Sequence, residues 1–203
     1  MAGSRGPYAK GVAKREEILR VALEVIARHG YRKTSTRELA AAAGLSEAGL
    51  LHYFGSKEEL FAAVLRARDK ADTSRATTPS GDGAGHRADA ITMLTAIVRH
   101  NRTVPGLVQL YSTFSAEAGD PDHGAHDYFT DRYTTLRAAL AAAVEARQSA
   151  GTFHPDADPE SIATLLIALS DGLQVQSQYD LTAAPADVMS HLLDLLTGPP
   201  RNS

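Results

Sequence analysis

Apolar residues recur along this chain every three to four positions, and no useful stretch alternates them every second one. That pattern specifies amphipathic helices and supplies nothing for a sheet, so the expected fold is all-α. Of the 203 residues, 43% are hydrophobic and 22% charged, the proportions of a chain that buries a core. There is no cysteine. Disulfide frameworks, thiolate metal sites and cysteine nucleophiles are therefore excluded, and the composition suits a reducing compartment. The opening residues MAGSRGPYAKG carry no apolar stretch of the kind a secretory signal needs. No run reaches the ~18 uninterrupted apolar residues of a membrane helix, since Arg137 and Glu145 break the alanine-rich run from Leu136. A cytoplasmic protein with no membrane partner is expected.

The net charge of −3 conceals an asymmetry. Residues 1–57 carry ten Lys and Arg against five Asp and Glu, whereas the remainder carries eleven against nineteen. A basic head on an acidic body suits a head that meets a polyanion, although charge alone leaves chance as an equal reading.

The helices expected from periodicity and caps begin with one from about Lys14 to His29, with Ile18, Ala22, Val25 and Ile26 on one face and Gly30 as its stop. Ser35 followed three residues later by Glu38 is a capping-box signature, so a short helix should run from Thr36 to Ala43, broken by Gly44. Ser46 should cap another, from Glu47 to Tyr53. After Gly55, Ser56 and Glu59 repeat the box and open a longer helix to about Asp72. Residues 73–85 (TSRATTPSGDGAG) are rich in turn formers and read as a flexible linker. Five more helices are expected: about 86–104, 107–118, 123–150, 159–179 and 185–197. The domain division expected is a head over 1–57, a linking helix over 56–72, the linker over 73–85 and a helical body over 86–203.

Two short helices joined by a tight turn at Gly44 make a helix-turn-helix, in which the first helix braces the second against a major groove. Leu39, Ala40, Ala43, Leu45 and Leu50 supply the packing, with the alanines permitting close approach. The run Thr36-Arg37-Glu38-Leu39-Ala40, then Ala43-Gly44-Leu45-Ser46, then Leu50-Leu51-His52-Tyr53-Phe54-Gly55-Ser56-Lys57-Glu58-Glu59-Leu60 resembles the N-terminal domain of TetR/AcrR-family transcriptional regulators. The resemblance covers about residues 18–65. It implies a three-helix DNA-binding domain followed by a helical ligand-binding and dimerisation domain.

By position, the resemblance implies that Thr36 and Arg37 approach phosphate or a base edge, and that Ser46, Glu47, Ala48 and Gly49 form the leading end of the recognition helix. It implies backbone contacts from Leu51, His52 and Tyr53, and a phosphate contact from Lys57. Lys10, Lys14 and Arg15 are further basic candidates. Plainer readings stand beside these: Arg37 as a solvated arginine, His52 as a packing or hydrogen-bonding ring, Phe54 as core between the first and fourth helices. Ala48 and Gly49 leave little with which to read bases, which shifts specificity toward Arg37, Glu47, thymine methyls and DNA shape.

For the body, the resemblance implies a homodimer through the last two helices, whose stripes are Ile162, Leu165, Leu166, Leu169 and Leu173, then Val188, Leu192, Leu195 and Leu196. An intramolecular core is the alternative. Effector-contact candidates are Asn101, Gln109, Tyr111, Phe114, Tyr128, Asp171 and Gln174. Asp171, Gln174 and Gln178 form one polar stripe, which fits a pocket lining or an interface. Asp171 as its lone acid suggests a cationic ligand. His123 and His126 lie three apart and could offer two metal ligands, or simply open a charged helix. No metal and no cofactor are expected. GxSxG, HExxH and GxxxxGK[ST] are all missing, so no catalysis is expected.

The function expected is a sequence-specific transcriptional regulator, a repressor released from a palindromic operator by a small-molecule effector. The alternatives are an architectural or ligand-independent DNA-binding protein, and a small helical enzyme or lipid carrier.

Overall fold

The computed structural model describes residues 7–77, 88–179 and 184–197. Among the described residues every regular element is helical, as the periodicity requires. The expected linker falls partly outside this set: residues 78–85 lie beyond the described residues, while 73–77 continue the fourth helix.

The chain divides into two compact units that are not consecutive stretches: Met1–Lys70 with Val104–His126, and Ala71–Thr103 with Asp127–Ser203. In the first unit, α1 (Pro7–His29) begins earlier than its apolar stripe suggests. Pro7 stands in the first turn, where a missing N–H costs nothing. Ile18, Ala22 and Ile26, four apart, are fully buried. Gly30, at φ 82°, ends the helix. A 3-10 turn at Tyr31–Lys33, which no spacing signalled, carries the chain to α2 (Thr36–Ala42).

The Ser35–Glu38 capping box is complete, with the Ser35 hydroxyl accepting from Glu38 N–H and the Glu38 carboxylate accepting from Ser35 N–H at 2.7 Å. Gly44 turns the chain at φ 68°, and α3 (Glu47–His52) starts under a Ser46 cap. The Ser56 hydroxyl accepts from Glu59 N–H at 3.1 Å at the start of α4 (Lys57–Thr77). Leu39, Ala40, Ala43, Leu50, Phe54, Leu60 and Phe61 are all buried beneath these turns.

The first unit also takes in a later helix, which no local signal announces. Counting α5 as Ala90–Asn101, this is α6 (Pro105–Glu117). Pro105-Gly106, which falls between the helices expected over 86–104 and 107–118, begins the second of them. Proline fits its first turn, and a Cβ on Gly106 would lie 2.1 Å from the Ile26 carbonyl oxygen. Tyr31 meets Phe61 and Phe114 edge-on, at centroid distances of 5.2 and 5.7 Å.

The second unit is built on α5, α7 (His126–Ser149), α8 (Pro159–Ser177) and α9 (Pro185–Leu196). Its core comprises Ile91, Leu94 and Val98 of α5, Leu140 and Val144 of α7, Phe153, then Ile162, Leu166 and Ile167 of α8, and Met189 of α9. Asp89 caps α5 by accepting from Thr92 N–H and takes the Arg147 guanidinium through two oxygens, at 2.7 and 2.9 Å.

Candidate nucleic-acid interface

The glycine at position 44 and the two serine caps determine what the helix-turn-helix leaves outward. Arg37, Ser46, Glu47, Ala48, His52 and Lys57 are exposed, while Thr36, Gly49, Leu51 and Tyr53 are half-buried. Leu45 N–H donates to the Ala40 carbonyl at 2.8 Å, closing the turn between α2 and α3. The Thr36 hydroxyl donates to the Glu47 carboxylate, which brings the first residue of each helix together. The Ser46 hydroxyl is engaged with Gly49 N–H at 3.1 Å. A Cβ at position 49 would stand 3.1 Å from that same oxygen, so glycine leaves room for the cap.

Two basic residues from α1 are occupied with structure. Lys14 Nζ donates to the Ala43 carbonyl at 3.1 Å and pairs with Glu17. It thereby places a cation on the C-terminal end of α2, where the helix dipole favours one. The Arg15 guanidinium lies 4.6 Å from the centroid of the buried Phe54 ring. Lys57 remains exposed, with Nζ 5.9 Å from the Phe61 ring centroid. Glu38 is held below the usual carboxylate range by its hydrogen bonds from the Ser35 backbone and hydroxyl, so its charge belongs to the cap. Burial pushes the Tyr31 phenol up, and the nearby carboxylates of Glu117 and Glu58 push it the same way.

The seven effector-contact candidates are distributed over both units. Gln109, Tyr111 and Phe114 belong to the first unit, where Phe114 packs on Tyr31 and Phe61 and the Arg68 guanidinium lies 5.8 Å from the Tyr111 ring. Asn101, Tyr128, Asp171 and Gln174 belong to the second. There the Asn101 amide donates to Gln174 at 3.0 Å, both side chains being buried, and Gln174 reaches Asp171 at 3.5 Å. Tyr133, outside the expected set, donates its hydroxyl to Asp171 at 2.8 Å. Phe129 lies between Tyr128 and Tyr133, at centroid distances of 4.8 and 6.1 Å. The four-residue spacing of Phe129 and Tyr133 on α7 was the available signal, obscured by the polar residues around it. Gln178 is exposed and its amide donates to the Gln174 backbone carbonyl at 3.5 Å.

Both histidines of the metal alternative are engaged with neighbouring protein groups. His123 Nδ1 accepts from Ala125 N–H at 3.1 Å, and its ring meets Phe114 edge-on. His126 Nδ1 lies 2.9 Å from the Ala118 carbonyl, to which it donates. Among the described residues no group of three His, Cys, Asp or Glu side chains is placed to hold a metal ion.

Residues 18–64 match the family model described as bacterial regulatory proteins, tetR family, and residues 86–197 match that of the C-terminal region of BetI-type transcriptional repressors. The HTH-type transcriptional repressor AcnR of Corynebacterium efficiens is 28% identical over 198 residues, covering 92% of each chain. The HTH-type transcriptional regulator RutR of Escherichia coli K12 is 44% identical over 54 residues, 27% of this chain and 26% of its own. Among solved structures, a putative transcriptional regulator from Saccharomonospora viridis in complex with choline aligns with a TM-score of 0.65 at 26% identity. That alignment covers 93% of this chain and 100% of the other.

Proposed function

This chain belongs to the tetR family of bacterial regulatory proteins and is a DNA-binding transcriptional repressor; from that premise we propose that it acts as a homodimer on a palindromic operator and is released by a small cationic effector. The observation that carries the DNA reading is the exposed set on the helix-turn-helix, where Arg37, Glu47, His52 and Lys57 face outward above a fully packed base. Lys57 and Arg37 supply phosphate contacts, Thr36, Ser46, Ala48 and Gly49 set the distance of approach, and Leu51 and Tyr53 flank the trailing end. Phosphate contacts fix the register, and base edges supply discrimination.

The outward face of α8 supports the dimer. Leu165, Ala168, Gly172 and Val175 recur at three- and four-residue intervals, Tyr179 follows just beyond the helix end, and Leu165 and Tyr179 are 57% and 75% exposed. Leu195 of α9 is 70% exposed. Large apolar side chains in a helical row facing solvent fit a helix-to-helix interface, and a two-fold dimer matches a palindromic site. A cytoplasmic, non-catalytic role is part of the same proposal, supported by the regulators this chain is similar to. No helix among the described residues is long and apolar enough to cross a membrane.

The effector reading rests on the second unit's cluster of Asp171, Tyr133, Gln174 and Asn101 with Phe129 beside it. A carboxylate together with aromatic rings suits an organic cation, and the choline complex of the Saccharomonospora viridis regulator supports that class. The effector acts by population shift, favouring conformers whose recognition helices no longer match two half-sites ~34 Å apart. A coupling of ~1–3 kcal/mol lowers operator affinity about 5- to 150-fold. The test is an operator titration with and without a panel of quaternary ammonium compounds. Release by one of them, abolished in Asp171→Asn, is expected; equal operator affinity across the panel would refute the effector reading and leave a ligand-independent repressor.

A further inference from the structure

A carboxylate on the leading turn of a DNA-binding helix runs against the electrostatics of the encounter, because a duplex presents a dense row of negative charge. Glu47 stands there, exposed, as the first residue of α3. Its neighbours cannot substitute for it. The Ser46 oxygen is committed to the cap, Ala48 offers a methyl group, and Gly49 has no side chain. Glu47 is thus the one long polar side chain on that turn. It does not swing free, since the Thr36 hydroxyl on α2 donates to it.

The geometry points to Glu47 as an acceptor-only base reader, held in position by Thr36 and selective for a cytosine amino group in each half-site. The inference rests on the helix-turn-helix being the DNA-contacting surface. A carboxylate accepts hydrogen bonds and donates none, so of the major-groove edges it suits those bearing an exocyclic amine. Guanine offers N7 and O6, both acceptors, and thymine offers O4, so each repels it. Adenine presents its amine beside the N7 acceptor, whereas cytosine presents an amine with no acceptor on its own major-groove edge. Cytosine is therefore favoured. A satisfied carboxylate at a C·G pair offsets the phosphate repulsion, and elsewhere that repulsion stands uncompensated. The Thr36 bond keeps the carboxylate on one heading and leaves its remaining lone pairs for the base.

The experiment is selection from random duplexes with the full-length protein, its Glu47→Gln, Thr36→Val and Thr36→Ser variants, and affinity for random DNA measured alongside. The wild type should enrich a C·G pair at one fixed position in each half-site, with replacement of that pair costing about 5- to 150-fold in affinity. Glu47→Gln should move the preference at that position alone to A·T, because an amide both donates and accepts on adenine. Thr36→Val should weaken discrimination at that position by more than it weakens affinity for random DNA, and Thr36→Ser should restore the discrimination. An unchanged motif with Glu47→Gln would overturn the assignment of Glu47, as would a preference at its position for G, A or T in the wild type. A wild type that enriches no motif would overturn sequence-specific recognition and this inference together.

Discussion

Lys14 and Lys57 are both lysines of the basic head, yet the structure gives them different work. Lys14 holds the Ala43 carbonyl at the end of α2, while Lys57 is exposed at the start of α4. Replacing Lys57 with alanine should weaken binding to all sequences and lower the salt slope of log affinity by about one. Lys14→Met should leave that slope unchanged and instead cost about 0.3–1 kcal/mol of stability, the worth of a cation at a helix C-terminus. Salt titrations and thermal melts of the two variants separate these roles; a fall in slope with Lys14→Met would contradict the assignment.

A second residue-scale prediction concerns Asp89. Burial pushes its carboxyl up, but the hydrogen bonds from Arg147 and Thr92 overcome this and hold it below its ordinary 3.8. A depressed folded value means that stability is fully present above the unfolded value and is lost as pH falls through the folded one. Asp89→Asn keeps a good cap but cannot lose a charge. The stability difference between wild type and this variant, measured by denaturant melts, should therefore shrink as pH drops from about 5 to about 2.

The elements that could be read from the sequence are those fixed by neighbours in the chain. Ser35 with Glu38, Gly30, Gly44, and Asp158 before Pro159 are local signals, and each helix end they mark lies within a residue or so of its expected place. Position 106 is different. Its glycine is explained by the backbone of α1, which lies some eighty residues earlier, and no window of sequence contains that neighbour. Proline followed by glycine signals a helix stop as well as a first turn, so the start of α6 was misplaced and its membership of the first unit could not be inferred. The site shows the same split. Thr36, Glu47 and Lys57 are candidates on their local motif alone, whereas the Tyr133–Asp171 bond and the structural use of Lys14 depend on helices distant in sequence. Because a Cβ at Gly106 would overlap the Ile26 carbonyl, Gly106→Ala should force α6 and α1 apart. The expected cost is about 1–3 kcal/mol in thermal or denaturant unfolding, typical of overpacking. A melt matching the wild type would show that these helices have slack.

For the whole molecule, a basic helix-turn-helix head requires a second copy to read a palindrome, and the apolar row on α8 is where that copy should sit. Leu165→Glu places a charge in the row without touching the core residues Leu166 and Ile167. Sedimentation or light scattering at micromolar concentration should show a dimer for the wild type and a monomer for the variant. The variant's operator affinity should collapse while its helical content is kept. A wild type that sediments as a monomer would remove the two-fold account. Competition between a selected operator duplex and random duplex for the full-length protein, at one fixed salt concentration, tests most directly whether this head reads sequence. Specific recognition gives a preference of about a thousandfold or more, and equal competition by the two duplexes would contradict it.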